Sequence, residues 1–288
     1  MKKQYLIIFA LLFSIIATAQ KGDKLKGNKI LETKTTEIPS YKILEIGEEF
    51  EVVLVEQKKP RVVVETDSNF HEYINIDVKS EKLKIQTTAN ISRNKKLYLE
   101  IGCNDSIALI VVNGKAKLSS SSTIRTERTK VIANNSAKVA IDFISDRIEL
   151  VANGKGKISS TINAESIEIN GAHDSNITTD VVTESLNIIL NDDAEVNIAG
   201  TSSKTISFLQ GKSDLNAANL SSAIFNLDSK DSSKSTIKVT DKLTINNAGS
   251  SETKILGNPL FEISGFNDES KLIKLKKAPS NAFKKLLN

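Results

Sequence analysis

Two histidines, His71 and His173, are the only imidazoles among 288 residues. They sit in unrelated segments, with no second imidazole or cysteine nearby. A zinc site gathers three or four such ligands, so neither residue points to a metal. His173 falls in the turn GAHDSN and reads as a solvated side chain. Serine is abundant, yet no histidine is placed to act as its base. No G-x-S-x-G, phosphate-loop or H-E-x-x-H pattern occurs. Carboxylates gather in turns instead, at Asp174, Asp192, Asp193, Asp214, Asp228 and Asp231. Stacked turns could bring such residues around Ca²⁺. The glycine-rich nonapeptide of calcium-bound solenoids is missing, however. The reading is non-enzymatic, with no catalytic residue, no metal and no cofactor.

Spacing organises the lysines better. Lys117, Lys138 and Lys157 each stand one residue before an apolar residue that follows a turn, and Asn176, Glu195 and Asp214 hold the same offset further on. If the register holds, these six form one outward row, basic in its first three steps and acidic in its last two. Lys115 and Lys155 thicken the basic part. Exposed charges interact weakly, so such a row can simply keep a corner solvated. Its functional reading is a basic stripe, Lys115, Lys117, Lys138, Lys155 and Lys157, that meets an anionic glycan or polymer.

The elements behind this row repeat. Asn113 to Ser120 reads NGKAKLSS and Asn153 to Ser160 reads NGKGKISS, with a looser copy, NNSAKV, between them. The apolar residues after the turns are Leu118, Val139, Ile158, Ile177, Val196, Leu215, Ile237 and Ile255, spaced by 21, 19, 19, 19, 19, 22 and 18. Each copy alternates apolar and polar residues on both sides of an Asn/Gly/Asp turn, which is strand periodicity with one buried face. A unit of about 19 residues cannot close its own core and must stack on its neighbours. The expected fold is all-β: a right-handed parallel β-helix, or solenoid, with one unit per coil. Eight coils at strand spacing would make a column of roughly 40 Å. An antiparallel sandwich would have no reason to hold one position at a fixed period.

The ends read differently. Residues 1–19 have a Lys2-Lys3 start, an apolar run from Tyr5 to Ile16 and the small-x-small site Ala17-Thr18-Ala19, the grammar of an export signal. Residues 20–40 read as a linker. Residues 41–265 form a single solenoid domain, with irregular β coils over 41–104 and regular repeats over 105–265. Residues 266–288 are a basic tail, six lysines against Asp268 and Glu269, that caps the last coil. Ser280 can start a short helix through Leu287 there, with Phe283, Leu286 and Leu287 on one side. Without the signal's two lysines the formal charge of +4 falls to about +2, the sum of +4 in the tail and about −2 over residues 20–265. Tryptophan is absent and aromatics are 5%, so the chain has neither the charge nor the stacking platforms of a nucleic-acid binder. No second apolar run reaches membrane-span length. Cys103, the lone cysteine, reads as a small buried hydrophobe.

The stretches FEVVLVEQ (Phe50 to Gln57), VVVETD (Val62 to Asp67) and HEYINIDVKSEKLKI (His71 to Ile85), followed by the repeated Asn-Gly turns, resemble the bacterial family named putative auto-transporter adhesin, head GIN domain. The likeness runs from about Tyr41 to about Ile255. It implies a β-helix exported to the envelope or surface, adhesive in role, with no catalytic residues to carry over. The signal ending Ala-Gln also resembles those of exported Bacteroidetes proteins. Later turns lose the family's glycine, where Asn191-Asp192-Asp193 and Asp228-Ser229-Lys230 stand; Asn and Asp tolerate the left-handed backbone that a turn needs. The expected function is a non-catalytic interaction protein of the cell envelope, exported to the periplasm, to the outer-membrane surface or into the medium, with an unidentified ligand. A monomer is expected for that role. The alternative is a scaffold that stacks end to end into oligomers, and an enzyme acting on polysaccharide ranks third.

Overall fold

The structure is a computed structural model that describes residues 24–278. The expected signal over 1–19 and the helix expected over 280–287 lie outside them. The chain forms a β-solenoid of about nine turns with a spacing near 19 residues. Successive coils pair in parallel ladders, such as Ile158↔Ile177, Ile177↔Val196 and Val196↔Leu215. The long strands Lys157–Gly171, Asn176–Leu190 and Glu195–Leu209 each run through most of one coil.

Alternation builds the core. In Lys157–Gly171 the residues Ile158, Ser160, Ile162, Ala164, Ile167, Ile169 and Gly171 are buried, the side chains of the first six turned inward. Equivalent residues of neighbouring coils stack on them, one strand spacing apart. Each coil then closes through a tight turn containing one residue of positive φ. Gly114, Asn135, Gly154, His173, Asp192, Gly211, Asp231 and Gly249 hold that place in successive coils. At Gly211 a Cβ would lie 2.9 Å from the Cα of Asp192, so the coils approach closely there. Where aspartate replaces glycine, its carboxylate caps the turn of the preceding coil. The N–H of Gly211 donates to Asp231 at 3.1 Å, and that of Gly249 donates to Asp268 at 2.9 Å.

Two details of the register differ from the sequence reading. Leu215 pairs with Ser235, which pairs with Thr253, so Ile237 and Ile255 stand two places late in their coils. The register shifts between Ala217 and Ser221, where Asp214–Ser229 takes up extra residues. The inward positions of this row are then polar, and polar residues carry no apolar signal.

The first coils are also out of sequence order. Strands Ile43–Ile46 and Glu51–Glu56 lie between a terminal coil made by Lys82–Thr87 and Leu97–Cys103 and the next coil made by Leu109–Val112 and Lys117–Ser120. The terminal coil is covered by antiparallel strands. Ile74–Lys79 pairs with Lys82–Thr87, and Arg61–Asp67 pairs with Leu97–Cys103. Leu31–Glu37, inside the segment read as a linker, is a strand on the outer edge of Arg61–Asp67. Its Glu32, Lys34 and Glu37 make it a charged edge, which discourages pairing with another molecule. Asp67, fully buried, ties the cover together: its carboxylate accepts the N–H of Lys29 at 2.5 Å and that of Lys95 at 2.7 Å.

Candidate functional site

One face of the solenoid carries the lysine row. Lys117, Lys138 and Lys157 occupy consecutive rungs, paired residue to residue. Asn176, Glu195 and Asp214 continue the row. It extends further than its spacing indicated, through Lys234, Glu252 and Lys271. On the other side of Lys117 stand Glu51 and then Tyr98. The basic segment is therefore bounded by Glu51 on one side and by the neutral Asn176, then Glu195, on the other.

That boundary matters for charge. The ammonium of Lys117 donates to Glu51 at 2.7 Å, and that of Lys115 donates to Glu49 at 2.6 Å. The Glu49 contact raises the Lys115 ammonium above its usual range. Lys138, Lys155 and Lys157 have no ion-pair partner among the described residues. Two of the five stripe lysines are thus matched by carboxylates of the out-of-order coil, and three remain free for a ligand. Sequence reasoning missed Glu49 and Glu51 because they lie 66 positions before their partners.

Beside the lysines runs a second outward row of small side chains, Ser119, Ala140 and Ser159, leading to Thr178. A long side chain next to a short one leaves a trough between them. This groove holds about 450 Å³ and runs from Tyr98 to Asn176. Its floor is narrow and more apolar than polar, with Val53 and Ala140 among Ser119 and Ser159, and Lys117, Lys138 and Lys157 form its wall. The Lys96 ammonium lies 4.6 Å from the centroid of the Tyr98 ring at one end. Beyond Asn176 the row turns acidic. Asp214 loses solvent in the crowded row and stands beside Glu195, and both effects raise its carboxyl above the usual range. The groove can hold an extended anion along the column axis and would repel it past Asn176.

The other candidates fall elsewhere. His71 lies in the terminal cover, with Nε2 3.0 Å from the carbonyl of Glu32, and His173 sits at the positive-φ place of a coil turn. Of the turn carboxylates, Asp192 accepts the N–H of His173 at 3.3 Å, and Asp228 accepts from Asn246 at 3.1 Å. No group of three or more metal-ligating side chains occurs among the described residues. Cys103 is buried, which pushes its thiol up to about 11, so it is held as the protonated thiol. No helix among the described residues is long and apolar enough to cross a membrane.

The family described as "Putative auto-transporter adhesin, head GIN domain" matches residues 40–161 and 157–259. Solved structures share the fold. A putative adhesin from Parabacteroides merdae aligns over 88% of this chain and all of its own, with TM-score 0.66 and 16% identity. A putative adhesin from Parabacteroides distasonis aligns over 88% of this chain and all of its own, with TM-score 0.67 and 18% identity. A structure described as a putative lipid binding protein from the same species covers the same shares, with TM-score 0.64 and 18% identity. At such identity the likeness is one of fold. No curated protein matches the chain.

Proposed function

The chain belongs to the putative auto-transporter adhesin, head GIN domain family, and from that membership we propose that it is an exported, non-catalytic interaction protein of the cell envelope. Its ligand is an anionic glycan laid along the groove beside Lys138 and Lys157. The observation that carries this reading is the row of unpaired lysines beside small side chains. Stacked cations one strand spacing apart, about 4.8 Å, suit a polymer that presents charge at short, regular intervals. A field of one sign in a groove also speeds encounter and makes binding depend on salt.

The family's adhesive character supports a binding role at the cell exterior. A scaffold that stacks end to end is supported less, because repeated stacking needs two open ends. One end of this column is covered by its own antiparallel strands and carries a charged edge.

Retention on an immobilised acidic polysaccharide, with a neutral one as control, tests the reading. Binding is expected to weaken as salt rises. Replacing Lys117, Lys138 and Lys157 together with glutamate should lower affinity about tenfold or more, since each reversal removes up to about 1 kcal/mol of attraction and adds repulsion. Lys204→Glu, placed on another face, should leave binding unchanged. Equal retention of the triple variant and the parent would remove the groove as the site.

A further inference from the structure

The lysine groove has a second edge. Four residues beyond Lys117, Lys138, Lys157 and Asn176, the coils present Ser121, Asp142, Thr161 and Asp180. Thr161 and Asp180 are ladder partners, and the carboxylate of Asp142 accepts the N–H of Thr161 at 2.6 Å, so these three occupy consecutive rungs. They border a hollow of about 310 Å³ that Ser120, Ser121 and Ser160 also line. Ala140, Ser159 and Thr178 line both this hollow and the groove, so the two cavities are one surface. Four residues of strand separate the lysines from the second edge by at most about 13 Å.

Nothing within the described residues employs these carboxylates fully. Asp142 is exposed, and only its Oδ1 accepts a hydrogen bond. Asp180 is half-buried, and neither aspartate has an ion-pair partner among the described residues. They stand two rungs apart, about 10 Å. That is too far to share a cation, whose oxygen ligands lie about 2.3–2.6 Å from it. Their neighbours are hydroxyls, and a carboxylate in such company accepts strong hydrogen bonds from further hydroxyls.

We propose that this second edge reads vicinal hydroxyls, and that the ligand is a 1,4-linked polyuronate whose vicinal hydroxyls are free. The inference rests on the groove being a glycan site and names the sugar that it takes. Each residue of such a polymer has two edges of its own. The carboxylate projects from one side of the ring and the two hydroxyls from the other. Successive residues of a ribbon-like chain turn over, and each advances by about one strand spacing. One residue then sets its carboxylate on the lysines and its hydroxyl pair on an aspartate. The next sets its carboxylate toward Thr161, which can donate to it, and its hydroxyls toward the lysines. The alternation of Ser121, Asp142, Thr161 and Asp180 matches that order. An aspartate on every rung would repel each turned residue. The apolar floor at Val53 and Ala140 suits the C–H face of the rings.

Titration of the full chain with a polymer of 1,4-linked mannuronate, and with the same polymer acetylated on its vicinal hydroxyls, tests the assignment. Acetylation keeps every carboxylate. The variant carries Asp142→Asn and Asp180→Asn. An amide oxygen can still accept the Thr161 N–H, and thermal melting reports that the fold is kept. The variant should bind the unmodified polymer about fivefold more weakly than the parent. Acetylation should cost the variant less affinity than it costs the parent. Asp180→Asn alone, which removes no hydrogen bond within the described residues, should show part of the loss. Charge by itself gives the opposite sign, because removing carboxylates beside a bound anion tightens binding. Equal or tighter binding by the variant, or an equal acetylation penalty in both proteins, would overturn the second edge and leave the lysine groove standing. A parent that holds no acidic polymer would remove the groove and its second edge together.

Discussion

Asp214 shows what a place in a stacked row does to one side chain. Glu195 precedes it in the row and Lys234 follows it. Loss of solvent raises its pKa first, the Glu195 charge raises it further, and Lys234 and Lys254 oppose both. A raised carboxyl binds its proton more readily in the folded state than in the unfolded one. Its favourable contribution is therefore complete below the usual value of 3.8 and is lost as pH rises through the higher folded value. At neutral pH the ionised group is a small liability. Asp214→Asn is expected to raise stability at pH 7 by no more than about 0.5 kcal/mol, because the group is screened by water. That is about 1–2 °C in Tm for a domain of this size. Below the usual carboxylate range the two proteins should melt alike. A variant no more stable than the parent at pH 7, or one whose gain persists in acid, would show that the row exerts no such strain.

Hydroxyls behave in two ways at the scale of the coil. Where the strand bends, buried hydroxyls bond the carbonyl two residues on: Ser145 to Arg147, Thr183 to Ser185, Ser202 to Lys204 and Ser222 to Ile224. They satisfy carbonyls that the bend turns away from the ladder. Elsewhere Ser175, Ser207 and Ser213 bury hydroxyls that have no partner among the described residues. Thr183→Val should cost about 1–2 kcal/mol, since it leaves the carbonyls of Glu165 and Ser185 without a donor of the same reach. Ser213→Ala should be neutral or stabilising by up to about 1 kcal/mol, since it removes an unpaired buried group. Urea midpoints at unchanged m-value report both. Equal losses at the two sites would mean that the bends gain nothing from their hydroxyls.

The coil was legible in the sequence wherever its rows are apolar. Ile158, Ile177 and Val196 announce the period because each must fill the same narrow interior, and the Asn-Gly turns announce it because each needs one residue of positive φ. The reading slipped by two places at Ile237 and Ile255, where Ser235 and Thr253 hold the inward positions. It could not order the first coils. Alternation in Phe50 to Val55 gives the face of a strand and says nothing of which strand lies beside it. The lysine row was legible as a constant offset from the apolar row. Its partial neutralisation by Glu49 and Glu51 was not, because that depends on the out-of-order coil.

Across the whole molecule the interior changes character along the axis. The coils under the groove are filled by Leu118, Val139, Ile158 and Ile177 on one side and Val131, Leu150, Ile169 and Ile188 on the other, all buried. Toward the far end the buried residues include Ser229, Ser233, Ser235, Asn247, Ser251 and Thr253. Ser229 and Ser233 bond each other at 2.8 Å, and Asn247 donates to Thr253 at 3.0 Å. The side-chain amide oxygen of Asn247, Oδ1, and the Ser251 hydroxyl have no partner among the described residues. Each serine in place of a branched aliphatic residue forgoes roughly 1.5–3 kcal/mol of burial. A coil touches only its neighbours, so stability is approximately a sum of local terms and can differ between the two halves. The groove then stands on the better-packed half, which keeps its lysines at fixed spacing, while the far coils are the place where opening begins. Native-state hydrogen exchange should find residues 234–256 opening at lower free energy than residues 157–190. Ser235 and Thr253 face inward on successive rungs below Leu215, so converting both to valine, together with Asn247→Leu so that no buried amide loses the Thr253 hydroxyl it donates to, should raise the opening free energy of the far coils by roughly 1–3 kcal/mol. Residues 157–190 should hardly respond. One common opening free energy for both regions, or an equal response of both to these substitutions, would mean that the column unfolds as a single unit and that its polar interior carries no local weakness.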